Sequence, residues 1–143
     1  MLCPQYFYIA TQLNGYVLDI PGGNRDNEVK VTTYPKKEGC LSDNQLWQLD
    51  YQPDGTFLII SKMHGKALDC GGQQKGTKLV VWDRHGGENQ RWRMDGNYIT
   101  SANGHVVDVE HASKEPGTHV IMWTRDHNQS DNQLFELEQT VSM

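Results

Sequence analysis

The chain has 143 residues, 36% of them hydrophobic, with 14 glycines and a formal net charge of −5. That length suits one domain, residues 1–143, able to bury about two thirds of its unfolded surface, and the modest apolar content with many glycines favours short strands and tight turns over a helical bundle. No apolar run approaches the ~20 residues of a membrane helix, no basic block favours nucleic acid, and the opening Met1-Leu2-Cys3-Pro4-Gln5 lacks the basic and apolar regions of a signal peptide.

Runs of β-branched and aromatic residues, broken by Gly, Asn, Asp and Pro, predict strands over residues 6–11, 16–20, 29–34 and 46–51. Asn14-Gly15 joins the first two and is a strong hairpin signal. The next strands are predicted over 57–62, 66–70, 78–83 and 91–95, with His64-Gly65 at the corresponding turn. The last fall over 98–102, 105–109, 119–124 and 134–138, with the turn at Asn103-Gly104. No ten-residue stretch keeps a helical period, so helix is expected only as single turns in the loops before each Asn-Gln pair.

Those pairs belong to an internal repeat. Asn44-Gln45-Leu46-Trp47, Asn89-Gln90-Arg91-Trp92 and Asn132-Gln133-Leu134-Phe135 place an aromatic at intervals of 45 and 43 residues. Upstream of each stands an apolar residue followed by Asp: Leu18-Asp19, Leu68-Asp69 and Val107-Asp108. Between them a short apolar run ends in a large aromatic, Tyr34, Trp82 or Trp123. A unit of this length could be a propeller blade, but three blades are too few to close around a channel. Twelve strands in three four-stranded units (about 6–50, 51–95 and 96–138) instead predict an all-β fold, a β-trefoil: one small barrel capped by hairpins, with pseudo-threefold symmetry. Trp47, Trp92 and Phe135 are its expected core aromatics.

The three Gln-x-aromatic motifs, each with its upstream Asp and aromatic, resemble the ricin-B-type (R-type) lectins over nearly the whole chain, most closely the single-domain invertebrate members. The resemblance implies a β-trefoil, binding of galactose or N-acetylgalactosamine, and no catalysis or cofactor. The sequence departs from the pattern at Phe135, where the motif has Trp, and at Tyr34, where the other units carry Trp. The disulfides of secreted members are not matched.

The residue types suit a pyranose. An ionised Asp accepts hydrogen bonds from two adjacent hydroxyls, Asn offers a donor and an acceptor, and an aromatic face packs on the sugar's C–H patch. The resemblance gathers these groups into one shallow pocket per unit: Asp19, Tyr34 and Asn44; Asp69, Trp82 and Asn89; Asp108, Trp123 and Asn132. Gln45, Gln90 and Gln133 either join the sugar contacts or satisfy loop backbone. Lys37, His85 and Asp126, three residues past each aromatic, are either a fourth contact or exposed loop charges. The stretch from Trp82 to Gln90 is the most similar to a functional site of an invertebrate member, which ranks the middle pocket first.

Other signals are weaker. The six histidines form no tight ligand pair, so no metal site is expected. Cys3, Cys40 and Cys70 read as free thiols, or Cys3 as a link between two chains of a homodimer. Asn128-Gln129-Ser130 is a glycosylation sequon. The acidic residues show no isolated glycosidase pair. The expected partners are galactose-containing glycans. The competing expectation is a trefoil interaction protein, a protease inhibitor or cytokine-like ligand that uses its loops. An inhibitor, however, has no need for the same trio three times.

Overall fold

The computed structural model describes residues 5–72, 74–128 and 130–140. Cys3 and the side chain of Cys40 lie outside the described part, as does Gln129 of the sequon. Thirteen strands carry the described residues: β1 (Phe7–Thr11), β2 (Val17–Asp19), β3 (Val29–Lys30), β4 (Thr32–Tyr34), β5 (Trp47–Tyr51), β6 (Phe57–Ser61), β7 (Ala67–Asp69), β8 (Val80–Trp82), β9 (Trp92–Asp95), β10 (Tyr98–Ser101), β11 (Val106–Val109), β12 (Thr118–Trp123) and β13 (Phe135–Gln139).

All the pairings are antiparallel. Six strands form a barrel, running β1–β5–β6–β9–β10 with β13 returning to β1. The last seam, between β13 and β10, is made where the Phe135 N–H donates to the Asn97 carbonyl at 2.9 Å. The hairpins β2–β4, β7–β8 and β11–β12 cap one end. The fold is the expected β-trefoil.

Its core repeats in threes. Ile9, Ile59 and Ile99 come from the first barrel strand of each unit, Leu18, Leu68 and Val107 from the hairpins, and Trp47, Trp92 and Phe135 from the last barrel strand; none is more than 1% exposed. Each such burial stabilises by about 1.5–3 kcal/mol. The two indoles have a polar edge to satisfy: Trp47 Nε1 donates to the Leu18 carbonyl at 3.3 Å and Trp92 Nε1 to that of Leu68 at 3.2 Å. The Phe135 ring has no N–H and needs no such partner.

Two rings of backbone hydrogen bonds tie the caps together around the pseudo-threefold axis. In the inner ring the Val31 N–H donates to Leu79 O (3.0 Å), Leu79 to Val120 O (2.9 Å) and Val120 to Val31 O (3.4 Å). This ring corrects the sequence reading of 29–34 as one strand: Val31 bonds to other units, so the run splits into β3 and β4, and the strand count rises above twelve. For the same reason β8 begins at Val80 rather than at 78. In the outer ring Glu28, Gly76 and Gly117 donate to Val81, Met122 and Thr33 at 2.9, 2.7 and 2.8 Å. All three donors are left-handed, with φ of 68°, 89° and 82°. Glycine takes that conformation freely, and Glu28 is the departure from the pattern. Each bond lays the turn of one unit beside the aromatic strand of another.

The helical turns are single 3₁₀ turns. Three of them, Asp43–Gln45, Glu88–Gln90 and Asp131–Gln133, contain the Asn-Gln pairs themselves. Cys70 is a buried free thiol; burial, then the charge of Asp69, pushes its pKa up to about 12. Among the described residues no helix is long and apolar enough to cross a membrane.

Candidate functional sites

Each repeat builds one polar cluster at the junction of its hairpin and its Asn-Gln turn. The Asp at or next to the end of β2, β7 and β11 stands at the mouth of the hairpin, and the 3₁₀ turn sets Asn and Gln against it. Asp19, Asp69 and Asp108 are 4%, 4% and 5% exposed, so each carboxylate meets solvent only through a narrow opening.

The glutamine is the clamp. Gln45 Nε2 donates to Asp19 Oδ2 (2.8 Å) and to Pro35 O (2.9 Å), while its Oε1 accepts from the Lys37 N–H (2.7 Å). Gln90 Nε2 likewise bonds Asp69 Oδ2 and Asp83 O, and its Oε1 accepts from the N–H groups of His85 and Gly86. Gln133 bonds Asp108 Oδ2, Thr124 O and the Asp126 N–H in the same way. All three side chains are at most 2% exposed. They hold the carboxylate to the loop behind the aromatic.

The asparagine sits in front. Asn44 Nδ2 donates to Asp19 Oδ1 at 3.3 Å and to Ile20 O, and Asn132 Nδ2 does the same with Asp108 Oδ1 and Val109 O. Asn89 Nδ2 bridges both oxygens of Asp69 at 3.0 Å. Among the described residues no donor reaches the three Asn Oδ1 atoms, so each stays free as an acceptor. A carboxylate has about four lone-pair sites. With one or two taken by Asn and one by Gln, capacity is left for outside donors at Asp19 and Asp108. Asp69 has all four sites taken, two by Asn89, one by Gln90 and one by the Gly71 N–H at 2.6 Å, so an outside donor must displace one of these.

Burial raises the pKa of Asp19 above its ordinary value, against the hydrogen bond from Gln45 and the charge of Lys37. Burial raises that of Asp108 too, against the hydrogen bonds from Gln133 and Asn132.

Trp82 and Trp123 stand at the rims of two cavities, and Tyr34 ends the corresponding strand β4. Tyr34 is 44% and Trp123 39% exposed, well beyond core residues of that size, and Trp82 is half-buried. In the middle unit Asp69, Trp82, His85 and Asn89 line one cavity of about 420 Å³. In the third, Asp108, Trp123 and Asn132 line another of about 330 Å³. The Trp123 ring also carries Lys75 Nζ at 4.4 Å from its centroid.

The three residues expected as a fourth contact differ. His85 Nε2 lies 3.8 Å from Asp69 Oδ2, facing the cavity. The Asp126 carboxylate instead turns back on its own loop, accepting from Ser130 Oγ and the Asn128 N–H, and its pKa falls on account of the Ser130 hydroxyl first. Lys37 acts on Asp19 through its charge.

Sequence reasoning missed part of the cavity walls. The middle cavity is lined by Lys78 of its own unit and by Glu28 and Lys30 of the first, and the third by its own Glu110 and His111 and by Gly76 of the middle unit. Glu28 and Gly76 both lie six residues before an aromatic, so extending the repeat register upstream would have found them. His111 was signalled by register as well: with φ of 57° it holds the left-handed place that Gly22 (63°) fills in the first unit.

The ricin-type beta-trefoil lectin domain profile matches residues 5–139. The chain belongs to this lectin family. As a ricin-type lectin it is a carbohydrate-binding domain, and solved relatives cover almost all of it. The C-half of the earthworm R-type lectin, solved with GalNAc, is 30% identical with a TM-score of 0.81, over 96% of this chain and 100% of that one. A designed threefold-symmetric protein, ThreeFoil, is 28% identical with a TM-score of 0.83, over 93% and 97%. Mucoricin from Rhizopus delemar is 38% identical over 53 residues, which is 36% of this lectin but only 33% of mucoricin.

Proposed function

We propose that this lectin binds terminal galactose or N-acetylgalactosamine at up to three pockets and crosslinks glycan-bearing surfaces. The observation that carries the reading is the Asp–Asn pair held by a buried Gln, repeated in all three units. Asp19 and Asp108 accept from two neighbouring sugar hydroxyls, Asp69 accepts in place of one of its present donors, the free Asn Oδ1 accepts beside them, and Tyr34, Trp82 and Trp123 floor the sugar's C–H face. Gln45, Gln90 and Gln133 position the carboxylates. His85 adds a contact in the middle pocket. Support comes from the earthworm lectin C-half, which holds GalNAc on the same fold.

Galactose fits this pair because its axial 4-hydroxyl and its 3-hydroxyl converge on one side of the ring. Glucose turns the 4-hydroxyl equatorial and leaves a largely buried acceptor unpaired, at a cost of ~1–3 kcal/mol. Calorimetric titration with methyl galactoside and methyl glucoside tests this. Affinity for galactoside about tenfold or more above glucoside is expected, and equal affinities would refute the reading.

A further inference from the structure

The outer end of the pseudo-threefold axis carries charge that the sugar reading does not use. Lys30, Lys78 and His119 each stand immediately before a member of the inner ring, Val31, Leu79 or Val120. The ring side chains are fully buried. Successive residues of extended chain point to opposite faces, so the three preceding side chains point outward. Their pairing repeats with the fold: Lys30 lies opposite Val80, Lys78 opposite Ile121 and His119 opposite Thr32. Three basic side chains from three units thus gather around one axis in a chain of net charge −5.

None of them is neutralised in place. Among the described residues neither lysine amine has an acid partner, and the buried Nδ1 of His119 has no hydrogen-bond partner. The imidazole is held toward its neutral form by burial first and then by Lys78, with Lys30 adding to this and Glu110 opposing it. That coupling ties the three groups into one electrostatic unit. Lys30 and Lys78 also line the middle cavity, whose other residues include Asp69, Trp82 and Asn89.

We propose that Lys30, Lys78 and His119 form an oxyanion site on the axis, which takes a sulfate, phosphate or carboxylate group, free or carried on a glycan seated in the middle pocket. A tetrahedral oxyanion presents three oxygens around a threefold axis, matching three donors placed the same way. Protonation makes both nitrogens of His119 donors, so a bound anion raises the pH at which this ring titrates. Glu28, in the same cavity, opposes the anion and limits its affinity. The glycan-borne form rests on the sugar reading; the free form does not.

The test is NMR titration of the His119 ring, assigned with His119→Gln, in sodium sulfate against sodium chloride at matched ionic strength. Sulfate is expected to raise the titration midpoint where chloride does not. Lys30→Gln/Lys78→Gln should abolish the shift at unchanged melting temperature, and Glu28→Gln should enlarge it. An unmoved midpoint, or a full shift in the double variant, overturns the site. In a second arm, 3- and 6-sulfated galactose are compared with galactose. One sulfated sugar binding several-fold tighter in the native protein, and no tighter in the double variant, supports the glycan-borne form. No gain with sulfate still active overturns that form alone. If galactose leaves the Trp82 resonances untouched, the sugar reading of the middle pocket fails, while the sulfate result stands on its own.

Discussion

Asp19 and Asp108 are pulled two ways by the same burial. Removal from water raises their pKa values above 3.8 and so favours the protonated acid in the folded state. A raised folded-state value contributes stability that is fully present below the unfolded value and is lost as pH rises through the folded one. Sugar binding runs the opposite way, since only the ionised carboxylate accepts from two hydroxyls. Acidification from neutral pH should therefore weaken galactose binding at the first and third pockets with a midpoint above 3.8, while these two groups lend the fold stability. Calorimetric binding isotherms and thermal melts over the same pH series check both halves. Binding at these two pockets that persists unchanged below pH 3.8 would show that the carboxylates act while protonated.

The two kinds of tryptophan in one unit separate fold from site at the level of the element. Trp92 opens β9, is fully buried and spends its N–H on the Leu68 carbonyl. Trp82 ends β8 at the rim of the middle cavity. Trp92→Ala should cost roughly 3–5 kcal/mol of stability, whereas Trp82→Ala should cost under ~1 kcal/mol, as surface positions do, and should lose middle-pocket binding. Denaturant titration and sugar titration on both variants check this, and the reverse ordering would exchange the two assignments. The hairpins, core aromatics and Asp–Asn pairs were legible because each recurs in the same order inside one repeat. The break at Val31 was not, since its hydrogen-bond partners belong to Leu79 and Val120. Lys30 escaped for the same reason: the cavity it lines belongs to the next unit and is completed across a seam, and local periodicity says nothing of such neighbours.

At the scale of the molecule, three weak pockets in three units, on the proposed reading, matter more than one strong one. A hexose of about twelve heavy atoms at about −0.3 kcal/mol per atom gives roughly millimolar affinity per pocket, which simultaneous engagement on a dense surface raises by ~10²–10⁴. The lectin should therefore agglutinate galactose-bearing cells, reversed by free galactose at tens of millimolar, about ten times that dissociation constant. Asp19→Ala, Asp69→Ala and Asp108→Ala should each weaken agglutination in part, and the triple variant should lose it while staying folded by circular dichroism. If one single change removes all monosaccharide binding, only that pocket works. The inner ring has a consequence of another kind. Each of its three bonds has its donor in one unit and its acceptor in another, so no unit can open alone without breaking two of them. The amide hydrogens of Val31, Leu79 and Val120 should accordingly exchange with deuterium at one common slow rate, set by opening of the entire molecule. They would act as three clocks reading the same time, while amides in the turn around Gly55 exchange orders of magnitude faster.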